Sequence, residues 1–496
     1  MYLLGIDIGT GGTRALIIDA KGAVVASATE DHQPFASPQI GWAEQNPEDW
    51  WRACGIAVRK ALANGNLHGE QIACVGLSGQ MHGAVLLDEK NRVVRPALIW
   101  CDVRTEKQSQ ELTAKIGAAK LIDLTCNPAL TNFTLTKCLW VRENEPENWD
   151  RVRSLMLPKD YVRLQLTGER ATDVADASGT LLFDVAHRRW SKEMLQLVQM
   201  DESLLPALYE SPDICGQVSE TGAAATGLKK GTPVVAGAGD QAAGSTGIGV
   251  NAPGAVSATI GTSGVVLAAT DRPALDPGGR LHTFCHASPG RWLVMGVTQA
   301  AGLSLRWFRD QFGRGNGSLE SYESLMVEAA RAPSGCDGLL WAPYLMGERT
   351  PYLDPEARGM LVGLTASHTR AHLIRAILEG VAFSLQDTFT IFKEIKVPVK
   401  TIRLGGGGAR SRLWRQIQAD IYGGAVETVA AEEGAAYGAA ILAAVGVKVW
   451  PSVDAACQAV VRVAGKTEPS SKDSPTMQKA YSAYRRMYPA MKSVLN

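Results

Sequence analysis

The chain opens with an apolar run from Leu3 to Ile8 that reaches Gly9-Thr10-Gly11-Gly12 and turns apolar again from Ala15 to Ile18. Two such stretches joined by a glycine turn predict a tight β-hairpin. The same pattern returns half a chain later, as Ala258 to Ile260, Gly261-Thr262-Ser263-Gly264 and Val265 to Ala268. A hairpin used twice predicts a duplicated α/β chain. After the first hairpin, Ala23 to Ala28 reads as a third strand. Asn46-Pro47-Glu48-Asp49 then gives a cap, a proline at the first position and acids in the first turn of a helix. Trp50, Cys54, Ala57, Val58, Ala61 and Leu62 keep its helical stripe until Asn64-Gly65 stops it. Strands are expected over Ile72 to Leu77, Ala97 to Trp100, Pro233 to Ala236, Arg291 to Val297 and Ile402 to Leu404. A long helix is expected over His368 to Glu394, and an amphipathic one closes the chain over Met477 to Val494.

Length and charge narrow the class. At 496 residues the chain exceeds what one core organises. Two domains, 1–250 and 251–496, are expected. Fifty Lys and Arg balance fifty Asp and Glu, so no net field recruits nucleic acid or an anionic membrane. The first apolar run contains Asp7 and follows no basic segment, which argues against a secretory signal or an anchor. Gln241 to Thr270 is uncharged but broken by glycines, Asn251 and Pro253, and reads as packed interior rather than a span. The nine cysteines never approach CxxC spacing and are odd in number, as in a cytoplasmic protein with reduced thiols.

The candidate chemistry sits where strands end in small or polar residues. A glycine turn lets backbone N–H groups converge on an anion, and Thr10 and Thr262 add hydroxyls beside Gly11 and Gly261. Either turn alone is also an ordinary hairpin; two suit a polyphosphate. Asp7, on an otherwise apolar strand, is costly to bury without a cation or a hydrogen bond, and Mg²⁺ accompanying phosphates is the natural cation. The strand at Ile72 runs into Ser78-Gly79-Gln80-Met81-His82-Gly83, a place where α/β sheets bind ligands, although a single histidine there is also commonly structural. Trp100 suits either a sugar-facing wall or the core. Thr172-Asp173 and Asp176 to Gly179 read as a solvated loop or as one approaching a substrate. Asp240, between Gly239 and Gln241, is either a helix N-cap or a general base for an alcohol attacking phosphorus. Four glycines, Gly405 to Gly408, let the backbone lie against something planar or anionic, without the spacing of a dinucleotide fingerprint. Gly434 to Ala440 begins a small-residue helix able to pack beside them.

Taken together, these motifs resemble the FGGY carbohydrate kinases of the actin-like ATPase superfamily over nearly the whole chain. Gly5 to Thr10 resembles the family's first phosphate motif and Ile260 to Gly264 its second. Leu404 to Arg410 resembles its adenosine motif, and Gly347 to Gly359 and Glu379 to Phe383 match as well. The resemblance implies duplicated RNase H-like domains of the actin and hexokinase type with a nucleotide cleft between them, the first domain holding sugar and the second ATP. It implies that Thr10, Gly11, Gly261 and Thr262 meet the phosphates of MgATP, and that Gly405, Gly406, Gly407 and Gly408 meet its adenosine. Asp7 would act through Mg²⁺, and Asp240 would accept the proton in a direct in-line transfer. Gly79 to Gly83 is similar to the pattern in family members acting on ketopentoses, whereas glycerol kinases carry an Arg-Glu pair there. Met81, His82 and Trp100 are therefore expected at a ketopentose, with Gln241, which varies between Gln and Asn in such kinases, beside the base. Kinases for D-ribulose, L-ribulose or gluconate are the alternatives within the family. A non-catalytic ATP-binding regulator on the same fold is the alternative outside it. The closing helix could seal a core or build the surface of a homodimer.

Overall fold

The structure, a computed structural model, describes residues 1–315, 318–430 and 434–495. Both glycine turns form hairpins, and each hairpin belongs to a seven-stranded sheet. In the first sheet β1 (Tyr2–Ile8) pairs antiparallel with β2 (Gly12–Asp19), which pairs with β3 (Val24–Asp31). On the other side of β1 lies β4 (Ile72–Gly79), parallel to it. The sheet is completed by β5 (Ile214–Gln217), β6 (Pro233–Val235) and β7 (Ala238–Gly239), the last two parallel to β4.

The second sheet repeats the plan. Its hairpin is β8 (Gly254–Ile260) with β9 (Gly264–Thr270), and beyond β9 come β11 (Trp292–Thr298) and, at the edge, β10 (His282–Cys285). β12 (Val399–Gly406) lies parallel to β8, followed by β13 (Val426–Val429) and β14 (Val463–Thr467). The order β3-β2-β1-β4 thus corresponds to β11-β9-β8-β12. This is the duplicated α/β architecture that the repeated turn predicts.

Helix α1 (Pro47–Asn64) starts where expected, with the Asn46 side chain accepting the Glu48 N–H and the Gly65 N–H returning to Ala61 O. It buries its stripe of Trp50, Cys54, Ala57, Val58, Ala61 and Leu62. The other helices that matter to the site are α2 (Pro158–Thr167), α3 (Asp240–Gly247), α4 (Arg370–Glu394), α5 (Arg412–Tyr422), α6 (Gly434–Gly446), α7 (Ser474–Tyr484) and α8 (Met487–Leu495).

Three expectations change. α6 packs on the first sheet rather than beside the four glycines. A Cβ on Gly5 would stand 1.9 Å from Ala436 O, one on Gly76 2.1 Å from Ala439 O, and one on Gly438 1.8 Å from Ala243 O in α3. Small residues on opposing faces let α6 wedge between that sheet and α3. The strand over Ala97 to Trp100 is reduced to Ala97–Leu98, which pairs with Glu44–Gln45 outside the main sheet. The closing helix is broken into α7 and α8, and its tyrosines face inward. Tyr481 donates to Asp387 in α4 at 2.7 Å, and the Tyr484 and Tyr344 hydroxyls meet at 2.7 Å, so this segment seals the second core. All nine cysteines are free and eight are buried; burial pushes the Cys54 thiol up to about 12 and leaves it inert. Among the described residues no helix is long and apolar enough to cross a membrane.

Candidate active site

Strand register brings the candidate residues together. Ile8 lies opposite Gly79, and Gly79 opposite Gly239, so β1, β4 and β7 end at one level. Just beyond those ends stand Thr10, the segment Gln80 to His82, and Asp240. In the second sheet Ile260 lies opposite Gly406, so Gly261-Thr262 and Gly407-Gly408 leave their strands together. These are the carboxyl ends of parallel strands, where α/β sheets place ligands.

The first turn is held by a polar network that the sequence did not reveal. Gly9 N–H closes it on Gly12 O at 3.0 Å. The Thr10 carbonyl accepts from Gln45 Nε2 at 2.7 Å and lies 3.4 Å from His32 Nδ1. Its hydroxyl accepts the Trp100 indole N–H at 2.9 Å and donates to Gln80 Oε1 at 3.3 Å. Gln80 Nε2 donates in turn to Gln45 Oε1 at 2.9 Å, which also takes the Trp50 indole N–H at 3.2 Å. The turn is therefore tied to α1 and to the segment carrying Met81. Trp100 is not core: it is 44% exposed, anchored by its N–H on Thr10.

At the second turn the carbonyls of Gly261 and Thr262 accept the N–H groups of Gly302 and Leu303, at 2.9 and 3.1 Å. A cavity of about 820 Å³ opens here, lined by Gly261, Thr262, Tyr322, Met326, Gly407 and Gly408 among others. That space suits a nucleoside. Gly405 and Gly406 do not line it. A Cβ on Gly405 would meet Thr259 Oγ1 at 2.7 Å, and one on Gly406, where φ is +70°, would meet Ile260 O at 2.4 Å. Close packing on β8 is what requires glycine at these two positions.

Two carboxylates face the cleft end of the first sheet. Asp7 stands opposite Ser78 and Arg14 in the sheet, with Oδ1 enclosed and unpartnered among the described residues. Burial pushes its carboxyl up to about 6, against the pull of the Ser78 hydroxyl and the Arg14 charge. An enclosed, unpartnered carboxylate oxygen is the kind of hard donor a Mg²⁺ ion takes. Asp240 is the first residue of α3. The cap position is Gly239, no side chain caps the helix, and among the described residues the Asp240 carboxylate is held by its neighbour Gln241, whose Nε2 donates at 3.3 Å. The N-cap reading therefore falls. Burial first, and the Asp7 charge second, push Asp240 up to about 7.

Met81 and His82 are buried beside this turn. His82 holds φ at +68°, a conformation uncommon for a residue with a Cβ and often kept at functional sites. Its Nδ1 lies 2.8 Å from Gly179 O, and burial pushes its pKa down to about 3, so the ring is neutral and donates from Nδ1. Nε2 is left as an acceptor.

The segment from Thr172 to Gly179, read as solvated or substrate-facing, is wholly buried. The Lys159 ammonium lies 2.5 Å from Asp160, 2.6 Å from Asp173 and 3.1 Å from Asp176. Three carboxylates whose spacing would hold a metal already surround an ammonium. Arg163 donates to Asp160 and to Ala236 O, both at 2.5 Å, bracing the strand that leads to Asp240. With three acids against two cations, burial pushes Asp176 well above the usual carboxylate range. A Cβ on Gly239 would stand 3.2 Å from Asp176 Oδ1, so this cluster lies directly under the turn.

Residues 2–247 match the N-terminal domain of the FGGY family of carbohydrate kinases, and residues 256–447 match its C-terminal domain. The chain belongs to that family of sugar kinases, which use ATP as a substrate. It is 38% identical to a xylulose kinase of Bacillus subtilis (98% of this chain, 96% of the relative) and 40% identical to one of Escherichia coli K12 (89% of each). The crystal structure of xylulose kinase from Rhodospirillum rubrum superposes with a TM-score of 0.93 at 29% identity, covering 100% of this chain and 99% of that one.

Proposed function

We propose that the chain transfers the γ-phosphoryl group of ATP to D-xylulose, giving D-xylulose 5-phosphate, with Asp240 as the general base of a direct in-line displacement. The observation that carries this reading is the common level of β1, β4 and β7, which sets the phosphate turn, Met81-His82 and an uncapped carboxylate side by side. Residues 1–250 hold the sugar and residues 251–496 the nucleotide, in the cytoplasm.

The phosphates lie against the turns at Thr10-Gly11 and Gly261-Thr262, and the adenosine occupies the cavity beside Gly407 and Gly408, with Gly405 and Gly406 shaping the strand behind them. Asp7 would hold the Mg²⁺ ion that accompanies the phosphates and offsets their charge. His82 Nε2 accepts a sugar hydroxyl, Met81 covers the carbon chain, and Trp100 forms the open side. Gln241 adjoins the reacting end. Asp240 orients the terminal hydroxyl and takes its proton as the O–P bond forms. A carboxyl pushed up to about 7 keeps an ionised population at neutral pH, yet is basic enough to accept that proton. In a loose transition state, positioning and charge stabilisation supply most of the acceleration.

The test is ADP release with MgATP and a panel of D-xylulose, D-ribulose, L-ribulose, gluconate and glycerol. D-Xylulose should give the highest kcat/KM. A higher value on another sugar would sink the substrate assignment and leave the transfer mechanism standing.

A further inference from the structure

Four rings meet where the two halves touch at the sugar end of the cleft. His82 and Phe133 come from the first half, with ring centroids 4.9 Å apart; His282 and Phe284 come from β10 in the second and stack at 5.8 Å. Phe133 lies 5.6 Å from His282, and Phe284 lies 5.9 Å from His82. His282 is 2% exposed, and its Nδ1 is enclosed with no hydrogen-bond partner among the described residues. Buried polar atoms are nearly always paired, so an open imidazole nitrogen at this place points to a group that pairs with it.

Arg349 stands beside this cluster. Its backbone is clamped to the end of β11: Glu348 accepts the N–H groups of Arg349 at 2.7 Å and Gln299 at 3.0 Å, and the Thr298 hydroxyl at 2.5 Å. Thr350 N–H donates to Val297 O at 2.9 Å, and the Thr350 hydroxyl takes the Val297 N–H at 3.0 Å. Val297 is two positions along β11 from Met295, the partner of His282. The half-buried guanidinium makes no hydrogen bond and no ion pair among the described residues, and its charge bears on both His82 and His282. A guanidinium offers only donors and a neutral imidazole one donor and one acceptor, so together they suit a carbonyl oxygen next to a hydroxyl.

We infer that Arg349 and His282, both from the second half, are substrate-binding residues that hold the carbonyl and adjoining hydroxyl of the ketose, at the end remote from the hydroxyl facing Asp240. His82 binds the sugar from the first half and these two from the second, so the ketose itself bridges the halves. A polyol, which lacks the carbonyl, gains less from the guanidinium. The inference rests on the proposed D-xylulose kinase activity.

Arg349→Met tests it in the full chain, with KM for D-xylulose, KM for MgATP, sugar-free ATP hydrolysis and the thermal midpoint measured together. The expected result is a 10- to 100-fold rise in KM for D-xylulose, with KM for MgATP and sugar-free hydrolysis within threefold of native, and partial recovery in Arg349→Lys. An unchanged KM for D-xylulose overturns the inference, and so does a parallel rise in both KM values with a fallen midpoint, which marks a structural role. Should Arg349→Met not accumulate as folded protein, His282→Phe decides by the same readouts, since it keeps the ring and removes both nitrogens. Failure of the native chain to phosphorylate D-xylulose is a separate outcome that overturns the underlying activity.

Discussion

The seam between α3 and α6 gives a sharp test of how the fold holds Asp240, the proposed base. Gly438 faces Ala243 so closely that a Cβ would stand 1.8 Å from Ala243 O, whereas ordinary contact begins at 3.4 Å. In Gly438→Ala the two helices must therefore separate by roughly 1.6 Å, a shift too large for a close-packed interior to absorb in side chains alone. Overpacking of this kind costs about 1–3 kcal/mol. Asp240 lies three residues before Ala243 on the displaced helix, so the carboxylate moves by about 1 Å, enough to lower kcat on the order of 100-fold. Urea unfolding and kcat with D-xylulose measure the two effects. Ala444→Gly, on the same helix α6, removes a buried methyl and weakens the helix by about 1–2 kcal/mol without pushing on α3, so it should keep kcat. A native kcat in Gly438→Ala, or an equal kcat loss in Ala444→Gly, would show that the α3–α6 seam does not set the position of Asp240.

Further outcomes follow from the same geometry. Gln45→Ala removes the donor to the Thr10 carbonyl and frees Gln80, so KM for MgATP should rise about 5- to 10-fold, a loss of about 1–1.5 kcal/mol, read by initial rates. If Asp240 is the proposed base it must act ionised, and it is held up to about 7, so kcat/KM for the sugar should climb as pH rises through about 7; a profile flat from pH 5 to 8 would exclude that base. Direct in-line transfer predicts inversion at a chirally labelled γ-phosphorus, and retention would require a phosphoenzyme instead. Tyr481→Phe leaves buried Asp387 without its 2.7 Å donor and should lower stability by about 1–3 kcal/mol in urea with kcat unchanged.

Much of this arrangement was legible because local chemistry fixed it. Asn46-Pro47-Glu48-Asp49 started a helix and Gly65 stopped it, and Gly-Thr-x-Gly between apolar runs gave both hairpins. Choosing between the two readings of Asp240 needed the structure: a carboxylate at a strand-to-helix turn reads equally as a cap until its hydrogen bonds are seen, and here it caps nothing. Of the two readings of the segment from Thr172 to Gly179, the solvated one fails for a physical reason. A polar, turn-rich stretch normally seeks water, and the cations Lys159 and Arg163, on a separate helix, make its burial tolerable. Gln45 and His32 carried no local signal, since their partner Thr10 lies 35 and 22 residues away. Likewise nothing near Gly434 in sequence shows that α6 belongs against Gly5 and Gly76; the clue was the glycines within the strands themselves, which leave room for a helix backbone.

The measurement that bears most directly on Asp240 as the proton acceptor is the steady-state rate of Asp240→Asn with D-xylulose and MgATP beside its KM values and fold. The amide keeps the size of the side chain and removes its basicity. If Asp240 takes the proton, kcat falls 10²- to 10⁴-fold, as for loss of a general base, with both KM values within a few-fold of native and an unchanged circular dichroism spectrum. A kcat within tenfold of native, in a folded variant, would contradict it and move the proton to another acceptor.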